Sequence, residues 1–322
     1  MTRPHPLEKE IALKDRALRL FSGNIHGNMG PDLYTNGGSD KYSRIIATNE
    51  DYVPYQGEVA LIDEKKETIA RWARDIDTVI IIGPGPAQTI ANKELPILKN
   101  MAKLKTVKLI DLSAQFNAEA QNVLEKNLKS VTVESYTGDF MTVTPNENYR
   151  NALVITTGSL TNFEDASTEQ FPALIAGKYL SRFQELAKPG GKILWGYDSN
   201  SDKAALEKEY DTAEIQEFIL NPLNKLAATT GVAMNPGKFT YTPEFHPRSS
   251  HLAHYWTATD DQTIAIDGHT IDIFKDSRFI CFSSIKLEPS RLDVVARNRG
   301  IKPYTSYKAR DNGQVLHCFD CK

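Results

Sequence analysis

The run IIIGPGPAQT at residues 80–89 puts Gly83 and Gly85 where an apolar strand gives way to a helix. A ligand can approach backbone closely at such a turn, because neither residue carries a side chain. Gln88 stands three residues after Gly85, where a dinucleotide-binding loop wants a third glycine, and Pro86 stiffens the turn. The sequence also lacks G-x-x-x-x-G-K-[ST], so no P-loop is available for a nucleoside triphosphate. Asp111 follows 28 residues after Gly83, at the end of a second apolar run, VKLIDL. A carboxylate in that position accepts both hydroxyls of a ribose, which NAD and S-adenosylmethionine (SAM) share. Gly138-Asp139-Phe140 adds a second carboxylate, suited to an adenine amino group, and an aromatic face for the ring.

Three histidines and three cysteines invite metal chemistry and do not carry it. His246, His251 and His254 are spaced by five and three, which does not set them on one strand face, and no H-E-x-x-H run joins them. No metal is expected. Cys281, Cys318 and Cys321 make an odd count whose single C-x-x-C lacks a second pair, so they read as ordinary thiols.

These groups need a scaffold that brings strand ends together. TVIII (78–82), VKLIDL (107–112), a short run at 131–133, ALVIT (152–156) and KILW (192–195) are apolar, and helical patterns separate most of them. Helices are expected near 88–102, 114–128 and 171–186, after earlier ones at 7–21 and 56–74. Continuous apolar strands alternating with helices predict a doubly wound α/β domain with a parallel sheet covered on both faces. Beyond Asp198 the pattern changes to helices at 202–210 and 213–230, then to alternating segments at 239–245, 253–258, 263–266, 270–274 and 278–287. Asp267-Gly268 reads as a hairpin turn within them. A second, α+β domain with antiparallel structure is therefore expected beside the parallel one.

The 322 residues allow about two domains, and 38 basic against 41 acidic residues give a net charge of −3. That balance speaks against a nucleic-acid or anionic-membrane partner. No uninterrupted apolar run approaches the ~18 residues of a membrane span, and MTRPHPLEKE lacks an apolar signal region. A cytoplasmic protein acting on a small molecule is expected, and nothing in the sequence indicates its oligomeric state.

The glycine turn, the two strand-end carboxylates and the Pro189-Gly190-Gly191 loop together resemble class I SAM-dependent methyltransferases. Later segments narrow the resemblance. Gly196-Tyr197-Asp198, Asp202, Leu206 and Tyr210-Asp211 are similar to the G-x-D-x-x-x-D-x-x-x-L-x-x-x-Y-D stretch of the histidine-specific Nα-methyltransferases of ergothioneine biosynthesis. Thr157-Gly158-Ser159-Leu160-Thr161-Asn162 resembles that family's G-S-T-I-G-N loop, Gly38 to Tyr42 its G-S-E-L-F, and Glu50 to Pro54 its E-Y-Y-P. The likeness runs from about Tyr34 to Lys286.

That resemblance implies a SAM-binding Rossmann-like domain at 55–200 and 286–322, and a substrate-binding domain at 1–54 and 201–285. It implies SAM contacts from Gly83, Gly85, Asp111, Asp139 and Phe140. Asn162 and Tyr210 would hold an amino acid's carboxylate, Tyr34 and Tyr52 would line the pocket, and Tyr52 and the Thr157 carbonyl would face its amine. The family's T-E-I-S-x-K stretch, whose glutamate and serine grip an imidazole, reads Cys281-Phe282-Ser283-Ser284-Ile285-Lys286 here. Ser284 aligns and Phe282 replaces the glutamate, so an amino acid other than histidine is expected, an aromatic or modified aromatic one, as in relatives acting on prenylated tryptophan. His254 would line the same pocket and bond a polar substituent. A nicotinamide oxidoreductase on the same sheet and a non-catalytic SAM-binding protein are the competing readings.

Overall fold

The computed structural model describes residues 6–23, 28–35, 37–48, 52–146, 148–158, 162–163, 171–310 and 313–322, with 6–11, 162–163 and 171–172 described by backbone alone. The chain opens with helices α1 (Pro6–Phe21), α2 (Gly30–Leu33), α3 (Gly38–Thr48) and α4 (Val53–Trp72). Then come β1 (Thr78–Ile82), α5 (Ala87–Asn92), α6 (Glu94–Leu98), β2 (Thr106–Asp111), α7 (Ala114–Asn127), β3 (Thr132–Thr137) and β4 (Leu153–Thr156). The middle of the chain forms β5 (Asn162–Phe163), α8 (Phe171–Ala187), β6 (Lys192–Asp198), α9 (Lys203–Tyr210), α10 (Ala213–Ile219), α11 (Asn221–Ala227) and β7 (Val232–Ala233). It ends with β8 (Phe239–His246), β9 (His251–Ala258), β10 (Gln262–Ile266), β11 (His269–Ile273), β12 (Arg278–Ile285), α12 (Pro289–Arg297), β13 (Lys302–Lys308) and β14 (Gln314–Asp320).

Two compact units result: one of residues 1–49, 162–171 and 201–285, the other of 50–161, 172–200 and 286–322. The second unit is built on a seven-stranded sheet ordered β3-β2-β1-β4-β6-β14-β13. The strands from β3 to β6 run parallel, and β14 pairs antiparallel with both β6 and β13. Every residue of β1 and β4 is buried, which explains their unbroken apolar sequence. Ile69, Val79, Ile81, Leu109, Ile155 and Leu194 belong to the core between sheet and helices.

Several elements differ from the sequence expectation. The helix expected over 88–102 is two short ones, broken at Lys93 (φ −106°, ψ −73°). Pro96 has no N–H to continue the ladder, and the Lys93 side chain turns inward to a buried partner. The helix expected over 213–230 is likewise cut before Pro222. β3 runs on to Thr137 as a half-exposed edge strand, whose polar residues give it no continuous apolar run. β13 and β14 were not anticipated: β13 alternates half-buried and exposed residues, and β14 is buried by antiparallel pairing at the end of the chain.

The first unit has a four-stranded sheet, β5-β12-β9-β8, and a three-stranded one, β11-β10-β7. Asp267 (φ 47°) and Gly268 (φ 85°) form the expected hairpin turn between β10 and β11, both in the left-handed region a two-residue turn requires. Asp202 caps α9 by accepting the Ala205 N–H at 3.0 Å, which fixes where the helix carrying Tyr210 begins. Buried Leu206, Phe245 and Leu252 form a small core against which Tyr210 packs.

Candidate active site

In the second unit the ends of β1, β2 and β3 bring the three cofactor signals into one row. Gly83 follows β1, and its N–H donates to Ile110 O at 2.8 Å, beside Asp111 at the end of β2. The Gly138 N–H, just past β3, donates to Asp111 O at 2.9 Å, and Asp139 comes next. This is the carboxyl edge of the parallel strands, where open α/β sheets bind ligands. Gly83 (φ 66°) and Gly85 (φ 67°) both adopt the left-handed conformation, so a side chain at either is strained. A side chain at Gly138 (φ 156°) would meet Val143 Cγ2 at 2.6 Å.

The Asp111 carboxyl is half-buried, and burial lifts it to about 6 against the pull of the Ser113 and Gly85 backbone N–H groups. Its Oδ1 accepts the Ser113 N–H at 2.7 Å. Exposed Asp139 accepts the Met141 N–H through Oδ1 at 2.9 Å. The ring of Phe140 packs against Tyr179 and Phe183, with centroids 5.2 and 5.9 Å away. Arg182 ties this loop down by donating Nε–H to Phe140 O at 2.9 Å and Nη2–H to Val143 O at 2.8 Å. Acceptors for a ribose, an acceptor for an adenine amine, an aromatic ring and a side-chain-free turn fit the nucleoside part of SAM.

β1 and β4 are neighbours from which the sheet extends in opposite directions, and Thr157 directly follows β4. Thr157 is buried, and its Oγ donates to Glu94 Oε1 at 2.5 Å. Beside it lies a buried ion pair, Lys93 Nζ to Glu58 Oε2 at 2.5 Å, with the Lys93 ammonium 4.9 Å from the centre of the Tyr55 ring. Gly196 on β6 makes this cluster possible, because a side chain there would lie 1.9 Å from Glu58 Oε1. The sequence offered one signal of it, the pair Lys93-Glu94 inside an otherwise apolar stretch. Tyr52 precedes α4 in the same unit, its carbonyl accepting the Tyr55 and Gln56 N–H groups at 3.1 and 3.2 Å.

In the first unit a second cluster forms around His254, which is fully buried on β9. A bulge between Ile280 and Phe282 shifts the register of β12 so that Phe282 pairs directly with His254. The two rings stack with centroids 4.0 Å apart and planes at 14°. His254 Nδ1 meets the Tyr241 hydroxyl at 2.8 Å, and Nε2 meets Ser284 Oγ at 3.3 Å. Tyr210 contacts the imidazole edge-on at 5.5 Å. Burial holds the Tyr241 phenol protonated far above its ordinary range.

Four residues singled out in the sequence, Tyr210, His254, Phe282 and Ser284, are thus brought together by one sheet face. Tyr241 was passed over, though its alternation with buried Phe239 and Phe245 on β8 marks it as inward-facing. Tyr34 stands edge-on to Tyr42 and Phe218 at 5.4 and 5.3 Å. Asn162 pairs with Ser284 through the β5–β12 ladder, and its side chain falls outside the described part. Of the other histidines, His246 and His251 stack on each other at 4.8 Å. All three cysteines are free and buried.

A sheet in this strand order, with β14 inserted antiparallel and this row of strand-end groups, defines a class I SAM-dependent methyltransferase. Over residues 30–321 the chain matches the family described as histidine-specific, SAM-dependent methyltransferases, and it belongs to that family. This sets aside the nicotinamide reading of the same sheet. Histidine N-alpha-methyltransferase of Mycobacterium tuberculosis (strain CDC 1551 / Oshkosh) is 23% identical over 201 residues, 60% of this chain. The match spans 59% of that relative's length. Among solved structures, a SAM-dependent methyltransferase from Clostridium acetobutylicum ATCC 824 is 12% identical with a TM-score of 0.46, covering 88% of this chain and 98% of that one. The magnesium protoporphyrin IX methyltransferase of Synechocystis PCC 6803 is 11% identical with a TM-score of 0.45, covering 90% and 97%. No described helix is long and apolar enough to cross a membrane.

Proposed function

We propose that this protein transfers a methyl group from SAM to the α-amino group of a free amino acid or amino-acid derivative, one with an aromatic or modified aromatic side chain in preference to histidine. The stacked pair His254–Phe282 carries the choice of substrate. The resemblance implies that the position of Phe282 would otherwise hold a glutamate accepting an imidazole N–H. Here an apolar ring stands there, covered by the protein's own imidazole, and Ser284 bonds that imidazole. A substrate imidazole buried against this surface leaves an N–H unpaired, a cost of about 1–3 kcal/mol, or roughly 5- to 150-fold in affinity. A larger aromatic side chain can lay its apolar ring face on this surface and direct its one polar group away from it, and so avoids that cost.

Gly83, Gly85, Asp111, Asp139 and Phe140 would hold SAM, and Asn162 and Tyr210 would donate to the substrate carboxylate without adding a second cation beside the sulfonium. Tyr34 and Tyr52 would line the pocket, with Tyr52 and the Thr157 carbonyl accepting amine protons. His254 would back the pocket wall, since its ring is stacked on Phe282 and both ring nitrogens are engaged. When bound, SAM supplies an electrophilic methyl whose C–S bond pair returns to sulfur as the N–C bond forms. The protein's part is orientation and exclusion of water.

The test is a comparison of kcat/KM for histidine, tryptophan and tyrosine, with methylated product identified by mass. A preference for tryptophan or tyrosine supports the proposal, and a clear preference for histidine overturns it. Absence of methylated product from any amino acid, with S-adenosylhomocysteine (SAH) still raising the unfolding temperature, favours a non-catalytic SAM-binding protein.

A further inference from the structure

The buried cluster behind Thr157 contains two carboxylates and one ammonium, an arrangement that packing alone does not require. Glu58 is fully buried and Glu94 nearly so, and Lys93 is paired with the first of them. Among the described residues, Glu58 Oε1 and Glu94 Oε2 have no hydrogen-bond partner. Two buried carboxylates sharing one ammonium leave the cluster with a net negative charge, and taking up a proton relieves that imbalance. Glu94 is the carboxylate placed to receive it, because its Oε1 is already the acceptor for the Thr157 hydroxyl.

We propose that Glu94 is a positioning residue that receives, through the hydroxyl of Thr157, the proton that the substrate ammonium must lose before its nitrogen can be methylated. The proposal rests on the amine methylation proposed above. In this step the ammonium N–H passes its proton to Thr157 Oγ as the hydroxyl's own proton moves to Glu94 Oε1. The amine keeps the electron pair of the broken N–H bond, and Glu94 becomes a neutral carboxylic acid. The secondary ammonium formed by methylation retains one of its two remaining protons on leaving as an amine or carries both, while Glu94 returns its proton to water before the next turnover.

The groups facing Glu94 are Lys93 and Glu58 from the ion pair, Thr157 from the end of β4, and Tyr55 from α4. Burial raises the Glu94 carboxyl most, Glu58 adds to the rise, and Lys93 and the Thr157 hydrogen bond oppose it, leaving it at about 7. A group titrating there is ionised enough at neutral pH to accept a proton and weak enough to release it afterwards.

The experiment compares the wild type with Glu94→Gln, Thr157→Val and Thr157→Ser. SAH-induced thermal shifts serve as the control for folding and cofactor binding. With the preferred amino acid, kcat is measured from pH 6 to 9.5. The wild type is expected to lose activity on the acid side of about pH 7. Glu94→Gln and Thr157→Val lose that limb, fall about 100-fold at pH 7.5, and recover as rising pH deprotonates the amine in water. Thr157→Ser keeps the wild-type profile. An infrared carboxylic-acid band that disappears near pH 7 in the wild type and is missing in Glu94→Gln gives a readout independent of turnover. Wild-type activity together with an unchanged profile in Glu94→Gln overturns this proposal and leaves the methylation reading standing. Absence of turnover by the wild type with every amino acid overturns both.

Discussion

The imidazole of His254 is packed parallel to the ring of Phe282, its direct partner across β9 and β12, while its two nitrogens reach Tyr241 at 2.8 Å and Ser284 at 3.3 Å. One residue therefore ties three strand positions into a single face. His254→Phe preserves the stack and leaves the Tyr241 and Ser284 hydroxyls without this partner. The expected cost is about 1–3 kcal/mol, read as a lower urea midpoint. In a double-mutant cycle with Tyr241→Phe the two losses should be less than additive by ~1 kcal/mol, because both changes remove the same bond. Additive losses contradict the geometry.

Asp111 supplies a second prediction, in which stability and binding move in opposite directions. Its folded-state carboxyl is raised from 3.8 to about 6, so its contribution to stability is fully present below 3.8 and is lost as pH rises through 6. At neutral pH the half-buried charge costs on the order of 2 kcal/mol once solvent screening is allowed for. Asp111→Asn should raise the unfolding midpoint of the ligand-free protein above pH 6, with the gain fading towards pH 4. The same variant should bind SAH about tenfold or more weakly by calorimetry, having lost its ionised acceptor. Unchanged SAH affinity would remove Asp111 from the cofactor site.

Gly196 tests the room made for the buried ion pair. Gly196→Ala puts a methyl 1.9 Å from Glu58 Oε1 and 3.3 Å from Thr157 Cα, so the carboxylate must leave Lys93. Breaking a buried pair costs about 3–5 kcal/mol. Gly300→Ala, in the same unit, lies at a positive φ (73°) where no heavy atom is within 4 Å of the added methyl, and should cost only ~1 kcal/mol. Equal denaturant midpoints for the two variants would sink this account.

His251 predicts acid sensitivity of the first unit. Burial, assisted by the neighbouring His246, lowers its pKa to about 4, so the unfolded chain binds a proton that the folded one refuses. Stability is therefore lost as pH falls from 6.5 to 4. Its Nδ1 has no partner among the described residues, so His251→Phe removes the titration at little hydrogen-bond cost. The variant's urea midpoint should fall less steeply between pH 6.5 and 4, by on the order of 1 kcal/mol after allowing for solvent screening. A slope identical to that of the wild type would falsify the assignment.

The sequence by itself determined the parallel strands, the glycine turn after β1, the acidic strand ends and the hairpin at Asp267-Gly268. Each is a local property: which face of a short segment is apolar, or which backbone conformation a residue tolerates. The breaks at Lys93 and before Pro222 were legible only in part, since an apolar period continues across both. What tertiary structure alone decided is which distant residues meet. Thr157 and Glu94 are separated by 63 positions, and His254 and Ser284 by 30. A one-residue bulge at Cys281 is what puts Phe282 opposite His254. Such contacts arise because a polar group taken out of water must find a partner wherever the packed chain supplies one, and periodicity along the sequence carries no record of that choice.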